Sequence, residues 1–163
     1  MRYAKLTNYD VANGSGLRTT LFVQGCPHHC EGCFNPGTWD FNGGMEFTED
    51  TEKEIMQMLN KPGIRGLSVL GGEPLAQGKE LYEILKRIKN AMPKIDIWMW
   101  TGYVYEELNE VQKDIVSLVD VLVDGPFIED KKDIRLKFRG SSNQRIIDIK
   151  NTHDVPVLLE DKD

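Results

Sequence analysis

Apolar positions along this chain follow two rhythms, and their alternation outlines the fold. Arg18-Thr19-Thr20-Leu21-Phe22-Val23-Gln24-Gly25 is β-branched and apolar and stops at glycine, which predicts a strand. A loop holding three cysteines follows, and then an irregular stretch to about Phe47. Thr48 with Glu49, Asp50 and Glu52 behind it predicts a capped, acidic helix start, favourable to the helix dipole. Ile55, Met58 and Leu59 give that helix one apolar face, and Lys61-Pro62-Gly63 ends it. Leu67-Ser68-Val69-Leu70 predicts a short buried strand closed by Gly71-Gly72. Leu81, Ile84, Leu85 and Ile88 stripe a second helix that stops before Pro93. Ile95 to Trp100 is a third strand, and Leu108, Val111, Ile115 and Leu118 mark a third helix. Val119 to Asp124 is a fourth strand, closed by Gly125-Pro126, and Ile146–Lys150 and Val155–Leu159 are candidates for two more.

Alternation of this kind builds a parallel sheet through right-handed crossovers. A closed eight-fold barrel takes about 250 residues, and this chain has 163. The expectation is therefore α/β: an open, partial (βα) barrel with a parallel sheet of four to six strands, helices outside and part of the sheet uncovered. No Pro- or Gly-rich linker and no repeat divides the sequence, so residues 1–163 read as a single domain. Four loops would emerge together at the carboxyl edge, where such folds place their ligands. They are the cysteine loop, Gly71-Gly72-Glu73-Pro74, Thr101-Gly102-Tyr103 and Asp124-Gly125-Pro126.

Composition is globular, with 40% hydrophobic and 28% charged residues. A net charge of −6 argues against nucleic acid as the main partner. No apolar run approaches the length of a bilayer, and the first residues lack the apolar core of a secretory signal. The expectation is a soluble, cytoplasmic protein with no membrane partner. Charge is unevenly spread: Lys131 to Arg145 holds six basic side chains against Asp133 alone. That segment is either a solvated basic loop or a surface for an anionic ligand or acidic partner.

All three cysteines lie in Cys26-Pro27-His28-His29-Cys30-Glu31-Gly32-Cys33. An odd number so closely spaced makes no disulfide framework. Thiolates are soft ligands for iron–sulfur clusters, zinc or Cu(I). A cubane cluster usually takes four cysteines; with three, one iron keeps an open position, the mark of a catalytic site. The competing reading is zinc, with His28 or His29 as fourth ligand, although structural zinc normally staples two separated ligand pairs. His28 and His29 read as partly exposed loop residues able to tune a cluster through hydrogen bonds, and His153 as surface.

Gly71-Gly72 lets the backbone approach a ligand closely. It is not a phosphate loop, because the lysine and Ser/Thr of that motif are absent. Asp124 is either a turn-former or a polar contact in the cleft. Trp98 and Trp100 share one strand face by the two-residue period, and Trp39 and Phe41 cover the cysteine loop from water.

Cys-x3-Cys-x2-Cys after the first strand, with Gly-Gly-Glu-Pro after the second, resembles the radical S-adenosylmethionine superfamily. The resemblance implies a 4Fe–4S cluster on Cys26, Cys30 and Cys33, with the cofactor's methionine part chelating the open iron. It implies cofactor contacts at Gly71, Gly72 and Glu73, the last loop holding the amino group, and at Gly32, Cys33 and Phe34 beside the adenosyl part, with Asp124 as a further candidate. Members commonly carry an aromatic residue just before the third cysteine, where this chain has Gly32 and places Phe34 after it. Chemistry would be carried by cluster and cofactor, with no side chain as a catalytic group. Asn13-Gly14-Ser15-Gly16, Cys30-Glu31-Gly32-Cys33-Phe34-Asn35, Trp98-Met99-Trp100-Thr101-Gly102-Tyr103, Val123-Asp124-Gly125-Pro126-Phe127 and Arg139-Gly140-Ser141-Ser142-Asn143-Gln144-Arg145 narrow the likeness to the anaerobic (class III) ribonucleotide reductase-activating proteins. That family implies a glycyl-radical activase: an oxidoreductase that takes hydrogen from a backbone glycine of the large catalytic subunit of the reductase, with flavodoxin or a similar low-potential donor reducing the cluster. The basic segment around Arg139 to Arg145 would dock that partner. A radical enzyme acting on a small molecule, of the deazapurine synthase type, and a zinc-binding adaptor are the rival readings.

Overall fold

A computed structural model describes residues 1–153 and 155–159. Seven strands form one sheet in the order β3-β1-β2-β4-β5-β6-β7. They are β1 (Arg2–Asp10), β2 (Leu17–Val23), β3 (Met45–Glu46), β4 (Ile64–Gly71), β5 (Asp96–Trp100), β6 (Val121–Asp124) and β7 (Arg145–Asp148). The helices are α1 (Glu49–Leu59), α2 (Lys79–Ala91) and α3 (Glu110–Val116). β2, β4, β5 and β6 are mutually parallel, whereas β1, β3 and β7 pair antiparallel. The sheet is thus mixed and wider than the expected four to six parallel strands. β1 carries a polar or half-buried side chain at nearly every position, so no apolar alternation marks it in the sequence.

Local chemistry explains where the helices begin. Thr48 caps α1 in a reciprocal pair with Thr51, and Asn109 caps α3 in the same way with Gln112. α3 is shorter than its apolar stripe: Leu108 precedes it and Leu118 follows it. Val155–Leu159 forms only a single bridge, Leu158 to Ile147, and no strand.

The two faces of the sheet differ. Leu21, Val23, Leu67, Val69, Ile97, Met99 and Leu122 pack against Ile55, Leu81, Leu85, Ile88 and Ile115 of the three helices in one core. The opposite face presents Arg18, Thr20 and Phe22 from β2, Ser68 and Leu70 from β4, and Trp98 and Trp100 from β5, by the two-residue period. There Trp98, Val121, Val123 and Ile146 form a second cluster with Phe138. The parallel strands follow one another in chain order, so right-handed crossovers carry every helix to the same side. The other face is left for irregular segments and a cavity. Among the described residues no helix is long and apolar enough to cross a membrane.

Arg18 occupies the amino-terminal end of this second face, fully buried. It pairs with Asp96 at 2.8 Å and donates to Ser68 Oγ (2.7 Å), Ser15 O (2.9 Å) and Leu67 O (3.0 Å). Burial works to lower its pKa, and Asp96 opposes that. Ser68 Oγ donates in turn to Asn13 O at 2.6 Å, which fastens the Asn13–Gly16 loop under the sheet.

Candidate functional site

β2 leads directly into the cysteine loop, and backbone bonds fix where it leaves the sheet. The Gly25 N–H donates to Thr38 O at 2.7 Å and the Cys26 N–H to Trp39 O at 3.1 Å. Two side-chain amides, one buried and one half-buried, staple the crossing. Gln24 Nε2 donates to Gly37 O and Asp40 O at 3.0 and 2.9 Å, and Gln77 Nε2 to Gln24 O and Glu73 O at 3.2 and 3.1 Å. The Gly72 and Glu73 N–H groups donate to Val23 O and Gly25 O at 2.9 and 2.8 Å, so the glycine loop is bonded to the root of the cysteine loop. Gly72 needs its missing side chain, since a Cβ there would run into Gly25 and Thr38 backbone oxygens.

The three thiols open onto one cavity of about 610 Å³, which Gly71, Gly72, Glu73, Trp100, Thr101 and Phe34 also line. That volume lies in the range of small-molecule and cofactor sites. Phe22 and Leu70 form part of the floor, while Phe127, Leu136, Phe138 and Arg139 come from the segment after β6. Cys26 is buried, and Cys30 and Cys33 are half-buried. Burial pushes the Cys26 thiol up, while the backbone N–H groups of His28 and His29 pull it back down by favouring the thiolate. The Asn35 N–H donates to Cys33 Sγ at 3.4 Å.

Neither histidine is idle. His28 Nε2 meets Glu73 Oε1 at 2.7 Å, and its ring stands edge-on to Tyr103 with centroids 4.6 Å apart. His29 stacks on Trp39 at 4.5 Å and 10°. The Trp39 indole N–H is buried with no partner, a donor left over beside the cavity. Phe41 packs on Gly25, as expected of a cover for this loop.

Two predicted contacts lie elsewhere. Gly32 is not in the cavity wall; it packs against the Glu129 side chain. Asp124 shares the Leu122 face of β6, the helix side, because side chains alternate. Its carboxylate is enclosed by Arg145, at 3.0 and 2.6 Å, and accepts from the Tyr105 N–H at 2.8 Å. Arg145 also reaches Glu106 at 2.6 Å, and these two carboxylates raise its pKa. Both candidate roles of Asp124 are replaced by a third, a buried ion pair, and Arg145 is not a free docking charge.

The donor set suits an iron–sulfur cluster: three soft thiols on one loop, beside an unpartnered indole N–H. Among the described residues no three His, Cys, Asp or Glu side chains stand close enough to grip an ion as placed. Within the loop His29 and Gly32 take left-handed backbone conformations, with φ of +49° and +75°.

Residues 12–147 match a protein family described as a 4Fe-4S single cluster domain. The chain is 46% identical over 148 residues to the anaerobic ribonucleoside-triphosphate reductase-activating protein of Salmonella typhi, covering 88% of this chain and 96% of that relative. The protein of the same name from Escherichia coli K12 is 45% identical over the same extent, and that of Enterobacteria phage T4 is 39% identical, covering 90% of this chain and 93% of its own. The sequence thus belongs to the family of anaerobic ribonucleoside-triphosphate reductase-activating proteins.

Proposed function

We propose that this chain activates an anaerobic ribonucleotide reductase by reductive cleavage of S-adenosylmethionine and removal of a hydrogen atom from a backbone glycine of the large catalytic subunit, leaving a stored glycyl radical. One observation carries the reading: Cys26, Cys30 and Cys33 line the same cavity as Gly71 and Gly72. Cluster and S-adenosylmethionine, when bound, supply one-electron scission of a carbon–sulfur bond and abstraction of hydrogen from a glycine α-carbon. The end products are methionine, 5′-deoxyadenosine and the glycyl radical. The electron comes from flavodoxin or a similar low-potential donor.

The chain's own residues hold and shield. The three thiolates hold the cluster and leave one iron open. Backbone groups at Gly71 and Gly72 would lie against the cofactor, since neither residue carries a side chain that would stand between. Phe22, Leu70 and Trp100 keep water from the floor of the cavity, and Phe34, tilted at 58° against Phe127 with centroids 5.0 Å apart, would border the adenosyl part. The one-sided placement of helices supports an open (βα) barrel whose uncovered face admits a protein loop.

The test mixes anaerobic, reduced protein with the reductase and S-adenosylmethionine. The expected result is a glycyl radical signal on the reductase together with 5′-deoxyadenosine, both absent when Cys30→Ala replaces the wild type. Cofactor cleavage that needs no reductase and leaves no protein radical would favour a small-molecule enzyme instead.

A further inference from the structure

Glu73 is 1% exposed, and both carboxylate oxygens are fully engaged by the protein. Oε1 accepts from His28 Nε2 at 2.7 Å and the Gly102 N–H at 2.6 Å. Oε2 accepts from Thr101 Oγ at 2.8 Å and the Leu75 N–H at 2.9 Å. A carboxylate offers about four lone-pair sites, so none is left for a cofactor amino group. The four donors come from three places: the cysteine loop, the turn after β4, and the side chain and backbone at the end of β5. His28 is the cysteine loop's contribution, seated between Cys26 and Cys30. Its ring lies so close over Gly102 that a Cβ there would meet it at 2.7 Å.

We infer that Glu73 is a positioning residue rather than a direct cofactor ligand, and that it acts through His28 to hold the cysteine loop in register with the Gly71-Gly72 loop. This rests on the function proposed above. An open iron and the backbone that receives the methionine part must sit at a fixed separation, because one ligand spans both. The His28–Glu73 bond joins two side chains of the loops that carry them, and it is made across 45 residues of sequence.

A double-mutant cycle on the full-length, anaerobically reconstituted protein tests it. S-adenosylmethionine is titrated against the reduced cluster, and the change in its electron paramagnetic resonance spectrum gives the half-saturating concentration. His28→Phe keeps a ring against Tyr103 but removes the N–H, and Glu73→Gln loses acceptor capacity. Each is expected to raise half-saturation about tenfold with iron content unchanged, and the double variant also about tenfold, because both remove one tie. His28→Gln, which retains a side-chain N–H donor, is expected to stay within about threefold of wild type. If Glu73→Gln does not fold, Glu73→Asp, whose shorter side chain withdraws the carboxylate from His28, replaces it in the cycle with the same non-additive expectation. Additive effects, about a hundredfold in the double variant, would overturn the inference by showing that Glu73 meets the cofactor on its own. So would a His28→Phe protein that titrates like wild type, or one that alone loses its iron. A wild-type spectrum that never responds to S-adenosylmethionine would overturn the proposed function as well, which the other outcomes leave standing.

Discussion

Glu73 and Asp124 are both buried acids at the ends of parallel strands, and their neighbours give them different work. Glu73 collects four donors around the cavity, whereas Asp124 neutralises Arg145 on the far side of the sheet. Arg145→Met would leave the enclosed Asp124 charge unpaired, and chemical denaturation is expected to show a loss of about 3 kcal/mol. Acid should weaken the fold through two other carboxylates. The Arg145 guanidinium holds Glu106 below its ordinary value of 4.5. Asp10 sits below 3.8 because bonds from Thr20 and Asn13 outweigh burial, which works the other way. Both pKa values are lower in the folded chain, so the unfolded chain binds more protons in this window. Their contribution is complete above about pH 4.5 and is lost as pH falls through the folded values. Thermal melts from pH 6 to 3 are expected to show that decline, and Glu106→Gln to flatten its upper part; parallel curves would contradict the assignment. The cysteines were legible as candidate metal ligands because their chemistry and spacing are local. The partners of Glu73 were not, since positions 28, 101 and 102 meet it only through the fold. Asp124's direction was readable from strand alternation, which places it on the face of Leu122.

Elements that owe their form to local chemistry were also the legible ones. α1 follows its cap and apolar spacing, α2 its apolar spacing alone, and β2, β4, β5 and β6 their apolar runs ended by polar or glycine residues. β1 and β3 were hidden because β1 is mostly half-buried and β3 is two exposed residues, and both take their order from pairing with β2 and with each other. Gly71 marks where β4 must turn: its φ is +113°, and a Cβ would lie 2.7 Å from Val23 O. Gly71→Ala is expected to cost about 2 kcal/mol or more, through left-handed strain and a backbone contact that cannot yield. Thr48→Ala, which removes only the α1 cap, should cost about 1 kcal/mol. Urea unfolding of the two variants checks the ranking, and a milder effect at Gly71 would contradict this reading of the glycine loop.

Across the molecule, an acidic chain carries a basic segment beside the mouth of its cavity. Arg145 is internal and Arg135 is paired with Asp133, but Lys131 and Lys132 remain exposed, with Lys132 over the Phe34 ring at 5.3 Å. If this edge steers the reductase, reversing both lysines to glutamate should raise the KM for the reductase several-fold at low salt. The difference should fade as salt rises, because exposed charges are screened. Activation kinetics at two ionic strengths decide it, and a salt-independent defect would point to packing instead. The mixed seven-stranded sheet leaves one face free of helices, and on that face the thiols, the glycine loop and the apolar floor come together. The most direct measurement follows the hydrogen atom. Reductase bearing deuterium on its glycine α-carbons is activated anaerobically by this protein, and the 5′-deoxyadenosine is weighed by mass spectrometry. One deuterium in that product is expected, whereas unlabelled product accompanying full activation would contradict direct abstraction from glycine.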